Sequence, residues 1–538
     1  MDVVSYGLVL AASLGLMGVG GLALPGAPFG RRFLAGLALV GGVCGALAWV
    51  APVAVVPVGR FAIAAGWIVL LALLRRPLRE GFPAIDRRAV LLACLAAGIG
   101  VGVALPFHFR FVHIGDNNYF LGQVVEVFLA DYVGPLRIPT YYPWEVSASH
   151  MPPSMALAAM AALLPRATML DALEVRFLLL AFVIARFSFV VLRSSRRSMP
   201  ETALLLTAGL LVFHREINSA FTESTFYYIV FVFELALILF FDRAGDEERT
   251  ARDALFVLLA MVGGKASIFY LPFVTAVWVA ARFPRTAFHP AVVVGGAVTF
   301  IQLALTSFRP KPFADVSIKL SLFNPGGGRA AFDYYPAIGD ALVNSDTVQR
   351  FLPGAYVSGI LLLLLVIAVK YWVLPIRAIA GGLDPSRREI LRIAEVFLLA
   401  ALIGLVLVRH DQHGVTHQVW VFYGTAPLVL GAILARCTIS THFVGHWRGG
   451  LVAVAVLVAA VGYDPWSGFR SPSSPHLGGV THWDLEGMDP AQAILPRPGE
   501  NETAPCERAL LKGVRLEAGS VPRSCLGTLG IYAVEPKK

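Results

Sequence analysis

The chain has 538 residues, of which 57% are apolar and only 15% charged, and its mean hydropathy is +0.70. Soluble domains carry about 45–50% apolar and about 25% charged residues, so this composition excludes an ordinary water-soluble globule. The aromatic content of 11% excludes a disordered or collagen-like chain. The net charge of +9 does not indicate a nucleic-acid partner, because the basic residues lie mainly in short segments between apolar runs. We therefore predict an all-α polytopic membrane protein.

Apolar runs recur along the chain, and a helix needs about 20 such residues to cross a bilayer. The runs lie at 4–24, 34–56, 61–74, 89–106, 176–192, 201–213, 226–241, 254–264, 267–281, 291–308, 353–373, 393–408, 419–436 and 450–462. They predict a bundle of about 12–14 transmembrane helices. The first run has no basic segment before it, so we expect a retained span rather than a signal peptide. The shorter, proline-bounded segment 152–165 favours a re-entrant or juxtamembrane helix.

Arginine predicts the orientation, because short cytoplasmic loops are rich in Arg and Lys. Seven short basic segments fall on one side of successive spans, and their arginines are Arg31/Arg32, Arg75/Arg76/Arg79/Arg87/Arg88, Arg193/Arg196/Arg197, Arg243/Arg249/Arg252, Arg282/Arg285, Arg377/Arg387/Arg388/Arg392 and Arg436/Arg448. We predict that this side is cytoplasmic. Both termini and the segments 107–175, 214–225, 309–352, 409–418 and 463–538 then lie outside, so we expect an extracytoplasmic working site.

The five cysteines predict no zinc site. Cys44, Cys94 and Cys437 lie in or beside apolar runs and are expected to be small buried hydrophobic residues. Cys506 and Cys525 share the polar tail, where a disulfide could form if that tail is extracytoplasmic.

The first long outer segment contains a candidate general base. Asp116 follows the run 89–106 closely, and a carboxylate at the membrane boundary can be desolvated yet reach a water-soluble substrate. Asp116 could equally cap the amphipathic helix that follows it. His150, before Pro152 and Pro153, is read either as a surface residue or as a substrate ligand.

Two further outer turns carry charges close to apolar runs, where charges are usually paired or functional. Arg215 and Glu223 lie between the runs 201–213 and 226–241, and could form a structural ion pair or part of a site. Lys265 follows two glycines that permit a sharp bend. It could bind a phosphate or extend to the interface.

More cations lie on the predicted outer side, at Arg309, Arg409 and His410. His413 and His417 have the spacing of a metal pair on a helix, but Gly414 makes a helix unfavourable there. Anion binding and a plain interfacial loop are the other interpretations of this segment.

The order of these parts resembles the C-type glycosyltransferase superfamily (GT-C), integral membrane enzymes that use lipid-phosphate-linked sugars. The resemblance covers residues 89–285 and rests on an acidic first outer loop, a Pro-Pro helix start, the turn from Arg215 to Glu223, and Gly-Gly-Lys265. It implies a GT-C-like helical bundle. The implied division is N-terminal helices 1–88, a catalytic module 89–285, C-terminal helices 286–462 and an extracytoplasmic tail 463–538.

The resemblance also implies roles for individual residues. Asp116 and Glu223 match the catalytic acidic positions, and Lys265 matches a lysine facing the donor phosphate. Asn117 and Asn118 stand where many members have a second carboxylate, which favours metal-independent subfamilies and no firmly predicted cofactor. The predicted donor-phosphate ligands are Lys265, Arg215, Arg309, Arg409 and His410. The predicted substrate-binding residues are Asn117, Tyr119, Tyr142 and His150.

These features predict an inverting transferase of the inner or plasma membrane, which transfers a sugar from a polyprenyl-phosphate donor to a glycan, lipid or protein acceptor. One alternative is a polysaccharide polymerase or ligase using polyprenyl-diphosphate donors, which would rely on the loops 309–352 and 409–418. Another is a lipid or glycan transporter, for which Arg186, Glu234 and Glu395 are the candidate intramembrane ionisable residues.

Overall fold

A computed structural model describes eighteen separate segments of the chain, which range from single residues to 48 residues. They are residues 3–50, 54–80, 86–109, 169–194, 198–200, 202–203, 206–207, 247–262, 276–277, 279–280, 283–307, 319–320, 408–409, 482–493, 495–498, 505, 508 and 512. Nearly all of these residues are helical, so the helical class is confirmed for this part of the chain.

Eight of the helices precede the first strand. They are α1 Val3–Ala23, α2 Phe29–Val50, α3 Val55–Glu80, α4 Arg87–Phe109, α5 Met169–Ser194, α6 Glu247–Val262, α7 Pro284–Ala287 and α8 Pro290–Ser307. Two of them, α1 and the Val55–Arg75 part of α3, have the length and apolarity of a membrane span.

Proline and capping residues explain several helix ends. Pro25 and Pro28 lie in the turn between α1 and α2, and the carbonyl of Pro28 accepts the amide hydrogens of Arg31 and Arg32 at 3.0 and 3.1 Å. Asp86 caps α4, because its Oδ1 accepts the amide hydrogens of Arg88 and Ala89, each at 3.1 Å.

Glycine allows α1, α2 and α3 to pack closely. A Cβ on Gly18 would collide with the carbonyl of Gly66 on α3, and a Cβ on Gly20 would collide with the backbone of α2. Helix α1 runs antiparallel to α2, because Gly20 lies against Arg32 and Leu16 lies against Gly36. It runs parallel to α3, because Gly15 lies against Ile63 and Gly21 against Leu73. Such small-residue contacts let helix backbones approach without side chains between them.

The remaining long helices pack on this group and on each other. α4 packs against α5, while α6 packs against both α2 and α8. Ala251, Leu255, Val279 and Val292 form a buried apolar cluster between α6 and α8. The N-terminal end of α2 contacts α5 through an edge-to-face pair of Phe33 and Phe182, with ring centroids 5.0 Å apart.

One short antiparallel ladder joins two distant segments. Strand β1, Lys319–Leu320, pairs with β2, Val408–Arg409, and places Lys319 opposite Arg409. Val408 therefore lies in a strand, although the sequence analysis assigned it to the end of the apolar run 393–408.

The described tail contains two short helices, α9 His482–Gly487 and α10 Pro490–Ala493, and α9 contacts α4. Arg508 is fully buried in this tail. Its Nε donates to the carbonyl of Ala493 at 3.2 Å and its Nη2 to that of Leu495 at 2.8 Å. These two bonds hold the later tail against the end of α10.

Seven of the predicted apolar runs coincide with described helices: 4–24, 34–56, 61–74, 89–106, 176–192, 254–264 and 291–308. The boundary after the second run was wrong, since α2 ends at Val50 and Val55 begins α3. Cys44 is buried as expected, whereas Cys94 is exposed on α4. The other runs lie outside the described residues or only partly within them.

Candidate functional site

Most residues of the predicted transferase site lie outside the part of the chain that the structure describes. They are Asp116, Glu223, Lys265, Arg215, Arg309, His410, Asn117, Tyr119, Tyr142 and His150. The same holds for Cys506 and Cys525. These assignments stay predictions.

Arg409 is the predicted site residue that the structure describes, through its backbone in β2. Its cross-strand partner is Lys319, which the sequence analysis did not select. The pairing also joins the segments 309–352 and 409–418, both of which we predicted on the outer side.

A second group of charged residues gathers at the turn between α1 and α2. Nη2 of Arg32 donates to the carbonyl of Pro25. The guanidinium of Arg249, from the first turn of α6, lies directly on the adjacent Gly26, where a Cβ would overlap it. We call Arg32 and Arg249 the arginine pair.

The arginine pair places two positive charges together at the end of α1. Burial, and to a smaller extent the positive charge of Arg249, lowers the pKa of Arg32. The Nε of Arg32 is buried without a hydrogen-bond partner. Arg249 itself is exposed. The guanidinium of Arg32 also lies 5.4 Å from the centre of the Phe29 ring, a cation–π contact.

Two further arginines surround the start of α2. Arg31 is buried, with 1% of its surface exposed. Arg186 of α5 lies directly against Gly30, where a side chain would collide with its Cδ and Nε. Gly30 is in the first turn of α2, so Arg186 lies near a helix end.

A charged group links α6 to the start of α8. Nε and Nη2 of Arg252 both donate to Oδ1 of Asp253, at 2.8 and 2.6 Å, and Asp253 is 2% exposed. Nη1 of Arg252 lies 3.3 Å from Nε2 of His289. The hydroxyl of Thr286 donates to Oε1 of Glu248 at 3.4 Å. The carboxylate of Asp253 therefore compensates the charge of Arg252.

His289 precedes α8, and each of its ring nitrogens lies close to a polar group. Its Nδ1 accepts the amide hydrogen of Ala291 at 3.2 Å, and its Nε2 faces Arg252. Burial and the Arg252 cation lower the pKa of His289, while Asp253 raises it by a smaller amount. These effects favour the neutral imidazole.

These contacts bring the basic ends of several helices together. The end of α1, the start of α2 and the start of α6 meet at the arginine pair, and the starts of α6 and α8 meet at Arg252 and His289. No group of three or more His, Cys, Asp or Glu side chains within the described residues could hold a metal.

The described residues form a predominantly helical protein, in which two helices are both long and apolar enough to cross a membrane. Comparisons with protein-family models, curated proteins and solved structures found no match to this chain.

The sequence analysis identified Arg32 and Arg249 only as members of basic segments. Their meeting depends on Gly26, which lacks the side chain that would exclude the Arg249 guanidinium. The available signal in the sequence was Gly26 in a Pro-Gly-Ala-Pro turn that lies close to arginines. This signal does not reveal which distant arginine packs against Gly26.

Proposed function

We propose that this chain is a polytopic membrane glycosyltransferase that acts on the extracytoplasmic face. It transfers a sugar from a polyprenyl-phosphate donor to a glycan, lipid or protein acceptor, with inversion at the anomeric carbon. Asp116 is the general base. The observation that carries this proposal is the order of Asp116, Glu223 and Lys265 along the chain. Asp116 follows the run 89–106, Glu223 precedes the run 226–241, and Lys265 lies between the runs 254–264 and 267–281.

The exposed surface of the helices supports a membrane location. Bulky apolar side chains project from α3, α4 and α8, including Phe61 at 75% exposure, Leu91 at 70% and Phe300 at 70%. Soluble monomers rarely expose such side chains in continuous patches. A hydrocarbon environment accounts for them.

The direction of the helices supports an outer position for Asp116. Six residues connect α3 to α4, too few to span the length of either helix. α4 therefore begins near the basic end at which α1 and α3 both finish. With 23 residues at about 1.5 Å each, α4 reaches the opposite end, and Asp116 follows its last residue closely.

The proposed chemistry requires a carboxylate that acts as a base, together with cations, at the outer surface of the membrane. A polyprenyl tail keeps the donor in the bilayer and its anomeric carbon at the surface. Asp116 takes the hydroxyl proton of the acceptor as its oxygen attacks that carbon from the face opposite the phosphate. Lys265, Arg215 and Arg409 stabilise the charge that develops on the departing phosphate.

The experiment compares Asp116→Asn with Asp131→Asn, a matched change in the same loop. Full-length protein in lipid vesicles is supplied with radiolabelled polyprenyl-phosphate sugars and a membrane extract as acceptor. We expect Asp116→Asn to lower the transfer rate by about 10²–10⁴-fold, as loss of a general base does. Asp131→Asn is expected to retain transfer.

A second candidate is a polysaccharide polymerase or ligase. The observation that favours it is the pairing of Lys319 with Arg409, which joins two basic outer segments. Full transfer by Asp116→Asn, together with loss of transfer in Arg409→Gln or His410→Ala, would support this candidate and contradict the first.

A further inference from the structure

The short connection that leads into α8 carries an almost fully exposed aromatic side chain. Phe288 follows the last residue of α7 and comes two residues before α8. Its surface is 85% exposed. A large apolar side chain on a surface marks an interaction site when it belongs to a continuous apolar patch. We therefore examined what surrounds Phe288.

The backbone on both sides of Phe288 is fixed by hydrogen bonds and packing. The amide of Thr286 donates to the carbonyl of Phe283 at 2.9 Å, and the amide of His289 donates to the carbonyl of Thr286 at 3.1 Å. Phe283 packs against the apolar cluster of α6 and α8. The hydroxyl of buried Thr286 donates to Glu248 of α6 at 3.4 Å. The connection is therefore attached to α6, while Phe288 stays on the outside.

The exposed surface of Phe288 continues onto α8. Val293 is 55% exposed and Phe300 is 70% exposed, and they lie two turns apart on one face of the helix. The 18 residues of α8 include no charged side chain, and they give a length of about 27 Å. The hydrocarbon core of a bilayer is about 30 Å thick. In a membrane, Phe288 therefore lies where the hydrocarbon meets the head groups.

A cation lies beside Phe288 in the same connection. Arg285 belongs to the single turn of α7 and is exposed. Exposed aromatic and basic side chains together are typical of segments that lie in a membrane interface. A long arginine side chain reaches the head groups while its apolar neighbour stays among the acyl chains. A phospholipid leaflet offers both environments next to each other, so we favour it as the partner of this surface.

We propose that the segment 283–289 is a membrane-interface anchor. Phe288 enters the outer part of the acyl chains, and Arg285 lies at the level of the lipid phosphates, on the side that the arginines predict to be cytoplasmic. The anchor sets the depth at which α8 begins, and the bond from Thr286 to Glu248 extends this effect to α6. The inference rests on the membrane location in the proposed function and is independent of the transferase chemistry.

The test measures the depth of single positions in the full-length protein in phosphatidylcholine vesicles. A nitroxide is attached to one new cysteine in a variant lacking the five native cysteines. Power-saturation EPR then compares its collisions with oxygen, which concentrates among acyl chains, and with a water-soluble nickel chelate. We expect the ratio of oxygen to nickel collisions to rise from Arg285→Cys to Phe288→Cys and again to Phe300→Cys. The control Ala491→Cys, exposed in the tail, gives the ratio for water.

Two results at Phe288 would overturn the anchor. A ratio for Phe288→Cys equal to that for Ala491→Cys would place this position in water. Protection of Phe288→Cys from both reagents would show that protein covers it, as in contact with a second copy of the chain.

A second measurement keeps the native cysteines, in case the cysteine-free variant does not fold. Phe288→Trp adds one indole, and its fluorescence is obtained as the difference from the wild-type protein. We expect lipid brominated near the head group to quench this added fluorescence more strongly than lipid brominated near the chain ends. Equal quenching by the two lipids, or none, would contradict the anchor.

Phe300→Cys separates failure of this inference from failure of the proposed function. A ratio for Phe300→Cys equal to that for water would contradict the membrane location, on which both depend. A lipid-exposed Phe300→Cys together with a water-exposed Phe288→Cys would contradict only the anchor. Sugar transfer and its dependence on Asp116 are measured separately.

Discussion

At the scale of single residues, the structure shows how individual polar side chains are accommodated among apolar helices. Trp67 of α3 donates its indole hydrogen to the carbonyl of Ala11 on α1 at 3.0 Å, which satisfies a polar group on an otherwise apolar helix. Asp253 is buried yet paired with Arg252. Each polar group is compatible with an apolar bundle because a specific partner compensates it.

His289 leads to a prediction about pH. Its pKa is lowered by burial and by Arg252, so the folded state holds it neutral at a pH where the unfolded chain is already protonated. Its contribution to stability is present above the usual pKa of about 6.5 and is lost as the pH falls through the lowered folded value. We expect the melting temperature to fall over this acidic window.

The measurement is thermal unfolding of the wild-type protein and His289→Gln between about pH 7 and pH 5. His289→Gln lacks a titrating group at this position, so its melting temperature should fall less steeply. Identical pH dependence in the two proteins would show that another group is responsible.

At the scale of elements, glycine positions determine how closely α1, α2 and α3 pack. Gly18 and Gly66 meet backbone to backbone, and Gly36 of α2 lies against the carbonyl of Leu16. Gly7, also on α1, has nothing within 4 Å of the position where its Cβ would lie. Two glycines of the same helix therefore differ in whether they pack against a neighbouring helix.

This difference predicts opposite effects of the same substitution on one helix. Gly18→Ala forces α1 and α3 apart and should destabilise the protein by about 1–3 kcal/mol, as overpacking does. Gly7→Ala should be neutral or stabilising by up to about 1 kcal/mol, because alanine favours helix more than glycine does. Equilibrium unfolding in detergent measures both variants, and equal stability of the two would exclude the close α1–α3 contact.

At the scale of the whole molecule, the ladder between β1 and β2 constrains the topology. In the membrane location that we propose, an open pair of strands would leave backbone groups unsatisfied in hydrocarbon, so both strands would lie at one surface of the bilayer. The segment between Leu320 and Val408 would then cross the membrane an even number of times or not at all. The predicted runs 353–373 and 393–408 agree with two crossings.

This constraint predicts which positions share a side. In a variant lacking the five native cysteines, Ser317→Cys and Gln412→Cys should both react with a membrane-impermeant thiol reagent applied to intact cells. Arg285→Cys should react only after permeabilisation, because it lies with the basic helix ends. Labelling of only one of the two outer positions would contradict the ladder.

The sequence by itself determined that most of the described segments are helical and approximately where the long helices lie. Hydropathy and proline positions are properties of a local segment, and they identified α1, α4 and α8 to within a few residues. The predicted site residues, among them Asp116, Glu223 and Lys265, stay hypotheses because the described residues do not include them.

Only the tertiary structure decided which residues from distant segments meet. Arg249 lies on Gly26, Arg186 lies on Gly30 near a helix end, and Lys319 stands opposite Arg409. Cys94 is exposed because of how α4 packs, although its sequence surroundings are apolar. Such contacts depend on the shapes of two surfaces far apart in the chain, which local composition and periodicity do not specify.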